Sequence, residues 1–116
     1  MTFRLQGCLT RLYSGDDSKD NRTTACPQSL PRPTGKSCDE YPFASSNQGA
    51  SLSGGPGRTF GYCEVAPLPQ GVTGPTGYSS CMINASQNSG GGTWLGTVYR
   101  QNRILQNDPF YVWIKP

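Results

Sequence analysis

Five cysteines, Cys8, Cys26, Cys38, Cys63 and Cys81, constrain the fold of this chain more than any other feature. They are set in a sequence where Gly and Pro make up about one residue in five and apolar residues only 34%. That composition predicts short elements, long loops and a thin core, and a thin core needs covalent staples. Cysteine usage at this level points to an oxidising compartment, and hence to a secreted, extracellular protein. Five is odd, so two bridges leave one thiol over, and sequence alone does not choose the pairing. A Cys26–Cys38 bridge would staple the proline-rich segment between them. A Cys63–Cys81 bridge would tie the two middle strands, with Cys8 as the spare. The cysteines do not spell a metal site, because no Cys-x-x-Cys pair and no histidine is present.

At 116 residues the chain has the length of one domain. We divide it into a lead-in over 1–37 (a strand, a short helix and a Pro-rich stretch) and a core over 38–116. A net charge of +3 permits an anionic partner without demanding one. No apolar run reaches membrane-spanning length, so no membrane partner is expected. Met1 opens an alternating segment rather than a signal peptide, which makes an exported form a mature or excised domain. The lack of histidine excludes Ser-His-Asp and Cys-His catalysis, two-histidine RNases and most zinc enzymes. Acid–base chemistry here falls to carboxylates, Lys, Tyr or water.

Along the chain, Phe3, Leu5, Leu9 and Leu12 alternate loosely with polar residues and predict a first strand. Asp20 to Cys26 reads as a short helix with Asp16, Asp17 or Ser18 at its N-cap. Pro27 to Lys36 reads as an extended linker, in which Arg32 and Lys36 either contact phosphates or solvate a loop. Asn47 to Arg58 reads as a flexible excursion. Thr59 to Val65 and Ser80 to Ala85 predict two strands. Ser86 to Thr93 reads as a glycine-rich turn, followed by the main helix at about 93–106 with Gly92 or Thr93 near its cap. Phe110 to Ile114 predicts a closing strand.

The chemistry concentrates at Ser37-Cys38-Asp39-Glu40-Tyr41-Pro42-Phe43. Asp39 and Glu40 are adjacent carboxylates on an extended segment, so they point opposite ways, one free for a substrate and the other for a metal or a basic side chain. An exposed acidic turn is the competing reading. Asp39, Glu40 and Asn88 are all oxygen donors, which suit Mg²⁺, Mn²⁺ or Ca²⁺ rather than zinc. A carboxylate base beside a hard metal is an arrangement for phosphodiester cleavage. Gly90 to Gly92 lack the Lys-Ser/Thr of a phosphate loop. A helix start with free N–H groups would favour an anion, and a simple flexible turn is the alternative.

Cys38-Asp39-Glu40-Tyr41-Pro42-Phe43-Ala44-Ser45, with Asn47-Gln48-Gly49-Ala50 after it, resembles the signature of NucA/NucB-type deoxyribonucleases. Cys81-Met82-Ile83-Asn84-Ala85 through Asn88, Leu95-Gly96, Tyr99-Arg100 and Asp108-Pro109-Phe110-Tyr111-Val112 agree in order and spacing. Asn21-Arg22 to Cys26-Pro27 with Leu30-Pro31-Arg32-Pro33 is similar to the actinobacterial form, and the resemblance covers about 8–114. It implies an α+β fold, a small loop-rich ββα-metal-nuclease-like domain with a short antiparallel sheet. It implies a secreted, sequence-nonspecific, divalent-metal-dependent endonuclease, in some relatives a toxin domain with an immunity protein. The implied catalytic pair is Asp39 and Glu40, with Asp39 as general base. Glu40 and Asn88 are the implied ligands of Mg²⁺ or Mn²⁺, with Ca²⁺ a third candidate. Arg100 and Arg103 join Arg32 and Lys36 as candidate DNA contacts. A monomer is expected. A non-catalytic, disulfide-stapled binding module and an RNase are the competing functions.

Overall fold

The computed structural model describes residues 9–70 and 76–112. The parts of the first and last predicted strands at 1–8 and 113–116, and the spare Cys8, lie outside the described residues.

Strand β1, Leu9–Thr10, pairs antiparallel with β5, Pro109–Phe110. Helix α1, Gly15–Ala25, follows. It starts earlier than the sequence suggests because Ser14 is the N-cap, its Oγ accepting from the Asp17 N–H. Asp16 and Asp17 occupy its first turn and Arg22 its last, each matched to the helix dipole. Strand β2, Lys36–Tyr41, carries the acidic pair. It runs antiparallel to β4, Tyr78–Asn84, with Asp39 opposite Cys81 and Glu40 opposite Ser80. The two-residue β3, Gly57–Arg58, adds to the other edge of β4 in parallel. Helix α3, Ala85–Gln101, leaves β4 with no intervening loop. The order β2-β4-α3 is therefore two antiparallel strands and a helix, within the expected α+β class.

Besides the earlier start of α1, and the closing strand, in which Tyr111 and Val112 lie outside β5, three sequence expectations change. The main helix begins eight residues before Thr93 and ends at Gln101 rather than Gln106. Asn84 caps it by accepting from the Gln87 N–H at 3.1 Å, and the glycines continue the helix rather than precede it. Their amides lie inside the helical ladder, so no free N–H nest exists there to hold an anion. At the far end Arg103 adopts φ 48°, a left-handed conformation that stops the helix. The Ile104 N–H then turns back to Tyr99 O at 2.9 Å. The second change is at Thr59–Val65, which is not a strand. Thr59 is fully buried, its hydroxyl donating to Ser80 O at 2.8 Å and accepting from the Val65 N–H at 3.0 Å. Those bonds fold the segment into a 3-10 turn, Gly61–Cys63. The third change is in Asn47–Arg58, which contains helix α2, Ala50–Ser53.

Helix α2 has Gly49 at its N-cap and so no side-chain cap of its own. Asn21 of α1 supplies one from outside. It is wholly buried, and its Oδ1 accepts from the N–H groups of Ser51 and Leu52 at 3.0 and 3.1 Å. Its Nδ2 donates to Ala44 O and Ser46 O at 3.0 and 3.3 Å. A Cβ at residue 49 would lie 2.2 Å from that Nδ2, so only glycine lets the bracket close.

The core is two small clusters. Leu9, Tyr99, Ile104 and Phe110 form one, with Tyr41, Phe43, Leu95 and Val98 packed against it. Ala25, Cys26 and Ala50 form the other, with Cys38 and Tyr78. Disulfides Cys26–Cys38 and Cys63–Cys81 are both present, as the staple argument requires. The first fixes the end of α1 to β2 one residue before Asp39. The second ties the 3-10 turn, rather than a strand, to β4.

Candidate active site

An open cleft of about 520 Å³ lies between α1, β2, α3 and the segment following β1. Its lining includes Asp39 and Glu40 from β2, Arg22 from α1, Asn88, Gly92, Leu95, Gly96 and Tyr99 from α3, and Arg11 and Tyr13. The acidic pair is thus half-buried in a cleft wall rather than on an exposed turn.

Strand alternation sorts the acidic pair. Cys38 and Glu40 share the face toward α1, where Cys38 is bonded to Cys26 and Glu40 feels the charge of Arg22. Ser37 and Asp39 share the other face, toward α3. There Asn88 donates its amide nitrogen to Ser37 Oγ at 2.8 Å and to Cys38 O at 3.1 Å. The acceptor at Cys38 fixes the amide orientation and leaves Oδ1 as the atom these bonds do not use. Asp39 accepts from the Glu40 N–H through Oδ1 at 2.9 Å.

Burial pushes the Asp39 carboxyl above its ordinary value, against the opposing pull of that bond. Glu40 is pushed up to about 7, first by burial and then by the charge of Asp39, with Arg22 pulling it down. Its Oε2 is buried and has no hydrogen-bond partner among the described residues. An unsatisfied buried acceptor of this kind costs free energy that a cation would recover. Glu40, Asn88 and Asp39 all line the cleft and supply oxygens of the kind a hard divalent ion prefers, with Glu40 on the opposite face of β2 from Asp39 and Asn88. No group of three His, Cys, Asp or Glu side chains assembles among the described residues, so water would complete any coordination shell.

Glu40 gives the metal-free protein a pH signature. Its proton is held more tightly in the fold, near 7, than at the ordinary value of 4.5. Its contribution to stability is therefore complete below the unfolded value and lost as pH rises through the folded one. The thermal midpoint is expected to fall between about pH 5 and about pH 8, and Glu40→Gln to flatten that fall. An unchanged slope in the variant, read by thermal melts in EDTA, would contradict the assignment.

Arg32, Lys36, Arg100 and Arg103 are not among the residues lining this cleft. Arg32 donates to the backbone carbonyls of Cys26, Pro27, Gln28 and Leu30, closing the end of α1. Arg100 turns onto Thr97 Oγ1 at 3.4 Å, and Arg103 serves the helix stop. The cleft's basic groups are Arg11 and Arg22, which sequence reasoning passed over. Arg22 carried a signal, since Asn21-Arg22 opens the stretch that resembles the actinobacterial form of the family. Arg11 carried none.

A family model described as deoxyribonuclease NucA/NucB matches residues 6–113, nearly the whole chain. The chain belongs to the NucA/NucB deoxyribonuclease family. DNA is accordingly the substrate class, and hydrolysis the reaction, that membership implies. No curated protein and no solved structure gave a match. Among the described residues no helix of this NucA/NucB domain is long and apolar enough to cross a membrane. Its two disulfides accord with an oxidising compartment.

Proposed function

We propose that this NucA/NucB domain is a secreted, divalent-metal-dependent, sequence-nonspecific endonuclease that uses Asp39 as its general base. The observation that carries the reading is the buried, unpartnered Oε2 of Glu40 next to Asp39 in an open cleft. Asp39 takes a proton from a water held between it and a phosphodiester. The resulting hydroxide attacks phosphorus, and the bond to the leaving sugar oxygen breaks. Glu40 and Asn88, which line the same cleft, would hold the cation. When bound, that ion offsets the charge on the phosphoryl oxygens and on the leaving oxygen. Burial favours the reaction at Asp39, because a carboxylate raised above its ordinary value is a stronger base. Mg²⁺ and Mn²⁺ are the preferred ions, Ca²⁺ the less suited one. Arg22 and Arg11, which line the cleft, would receive phosphates. Contacts of this kind are blind to base sequence.

The protein is expected to act as a monomer. An immunity protein that covers the cleft would be the natural partner if the domain serves as a toxin. Supercoiled plasmid incubated with the protein and Mg²⁺ or Mn²⁺ is expected to convert to nicked and linear forms. EDTA is expected to stop the conversion, and excess metal to restore it. Cutting that persists undiminished in EDTA would sink the metal reading. Cleavage of RNA but not DNA in the same tube would sink the substrate.

A further inference from the structure

The cleft has an aromatic rim that the cleavage chemistry does not use. The Arg11 guanidinium lies over two rings, 4.4 Å from the centre of Tyr99 and 4.7 Å from that of Tyr13. Its Nη1 is also bonded to Ile104 O. A cation gripped in this way has little freedom, and it fixes the ring stacked against it. Tyr99 is buried and belongs to the core, its hydroxyl 2.8 Å from Ser45 Oγ. Tyr13 is different. It lines the same cleft but is 65% exposed, so one stretch of aromatic surface faces the solvent at the mouth.

Two properties single this ring out among the exposed aromatics. Tyr62, Trp94 and Tyr111 are also exposed, but none of them lines the cleft. Among the described residues, Tyr13 alone combines exposure with a cation held over its ring and a place in the cleft that also holds the carboxylate pair. A nucleic-acid strand offers phosphate and nucleobase in alternation along one chain, and an arginine beside an exposed aromatic matches both. In a duplex the base faces are already covered by their neighbours. A base must leave the stack to lie on a protein ring.

We propose that Tyr13 is a stacking platform for an unpaired nucleobase, with Arg11 beside it taking the adjoining phosphate, so that the cleft favours single-stranded DNA. This rests on the endonuclease reading for its substrate class. Stacking is tolerant of base identity, because every base has a π face, so it adds strand preference without sequence preference.

The test separates this from catalysis by measuring binding in EDTA. A fluorescein-labelled eight-residue oligothymidylate is compared with an abasic oligomer of the same length and charge, by anisotropy at low salt. The wild-type protein is expected to bind the base-bearing strand more tightly. Tyr13→Ala is expected to lose about tenfold on that strand and almost nothing on the abasic one. Tyr13→Phe and Tyr13→Trp are expected to keep the preference, because the platform needs the ring and not the hydroxyl. Equal binding of the two oligomers by the wild type, or a preference that survives Tyr13→Ala, overturns the proposal. A protein that cuts plasmid but shows no such preference keeps the nuclease reading and loses this one. A protein that shows the preference and cuts nothing does the reverse.

Discussion

Asp39→Asn is expected to lower plasmid nicking by about a hundredfold or more, the loss that removal of a general base brings. Its thermal midpoint is expected to stay at or slightly above that of the wild type. The two halves of this expectation have separate causes. Asparagine keeps an oxygen at the position that accepts the Glu40 N–H, so the strand is left intact. Burial already disfavours charge at Asp39, and the charge of Asp39 in turn raises the proton affinity of Glu40. Making residue 39 neutral relieves both. Nicking by the variant at the wild-type rate, in matched protein and Mg²⁺, would move the base role to another group.

Asn21→Ala acts on stability alone, and strongly. The four bonds of Asn21 satisfy two N–H groups at the start of α2 and the carbonyls of Ala44 and Ser46. Alanine removes all four bonds at a side chain that is itself fully buried, although Ser51 and Leu52 are exposed residues and Ser46 O keeps the Gly49 N–H. Each stranded buried group costs about 1–3 kcal/mol. Partial relaxation and entering water bring the total to roughly 3–5 kcal/mol, well above the ordinary mutational loss. A fall of more than about 10 °C in thermal midpoint is expected. Asn21→Asp separates the two halves of the bracket, because it still accepts from α2 but faces two carbonyls with no donor. It is expected to be destabilised as well. A midpoint within a degree or two of wild type for Asn21→Ala would show that α2 does not depend on this side chain. The bracket bears on the site because Ala44 and Ser45, at its other end, line the cleft.

How much of this was legible in the sequence depends on how local the cause is. The need for disulfides followed from the thin composition, while the pairing was left open among the five cysteines and only the fold decides it. The carboxylate strand was legible because Asp39-Glu40-Tyr41-Pro42-Phe43 is specific. Asn88 was legible only by its place after the second strand. Its two bonds to β2 bring together residues about fifty positions apart, which no local pattern reports. The helix start at Ala85 was missed because three successive glycines argue against a helix at up to about 1 kcal/mol each. The Asn84 cap and packing further along outweighed that local preference. The external cap from Asn21 is another long-range fact. The sequence displays Gly49 before α2 but not the asparagine that makes glycine necessary there. The basic residues were misplaced for a related reason. Arg32 and Arg100 look like free cations in sequence, and their partners are carbonyls and a hydroxyl that appear only after folding.

Glycines 90–92 leave part of α3 as bare peptide, with open space around each position. Among the described residues only the backbone ladder and the Thr93 hydroxyl, donating to Ser89 O at 3.1 Å, bridge that span, so its order is lent largely by its ends, the Asn84 cap on one side and Leu95 and Tyr99 packed into the core on the other. Among the described residues, Asn88 is the one side chain of the first two turns that hydrogen-bonds to another element. It works as a clasp between a soft helical stretch and a stiff strand. Loosening the edge of β2 would therefore free both sides of the acidic cleft together, making this joint a single mechanical unit.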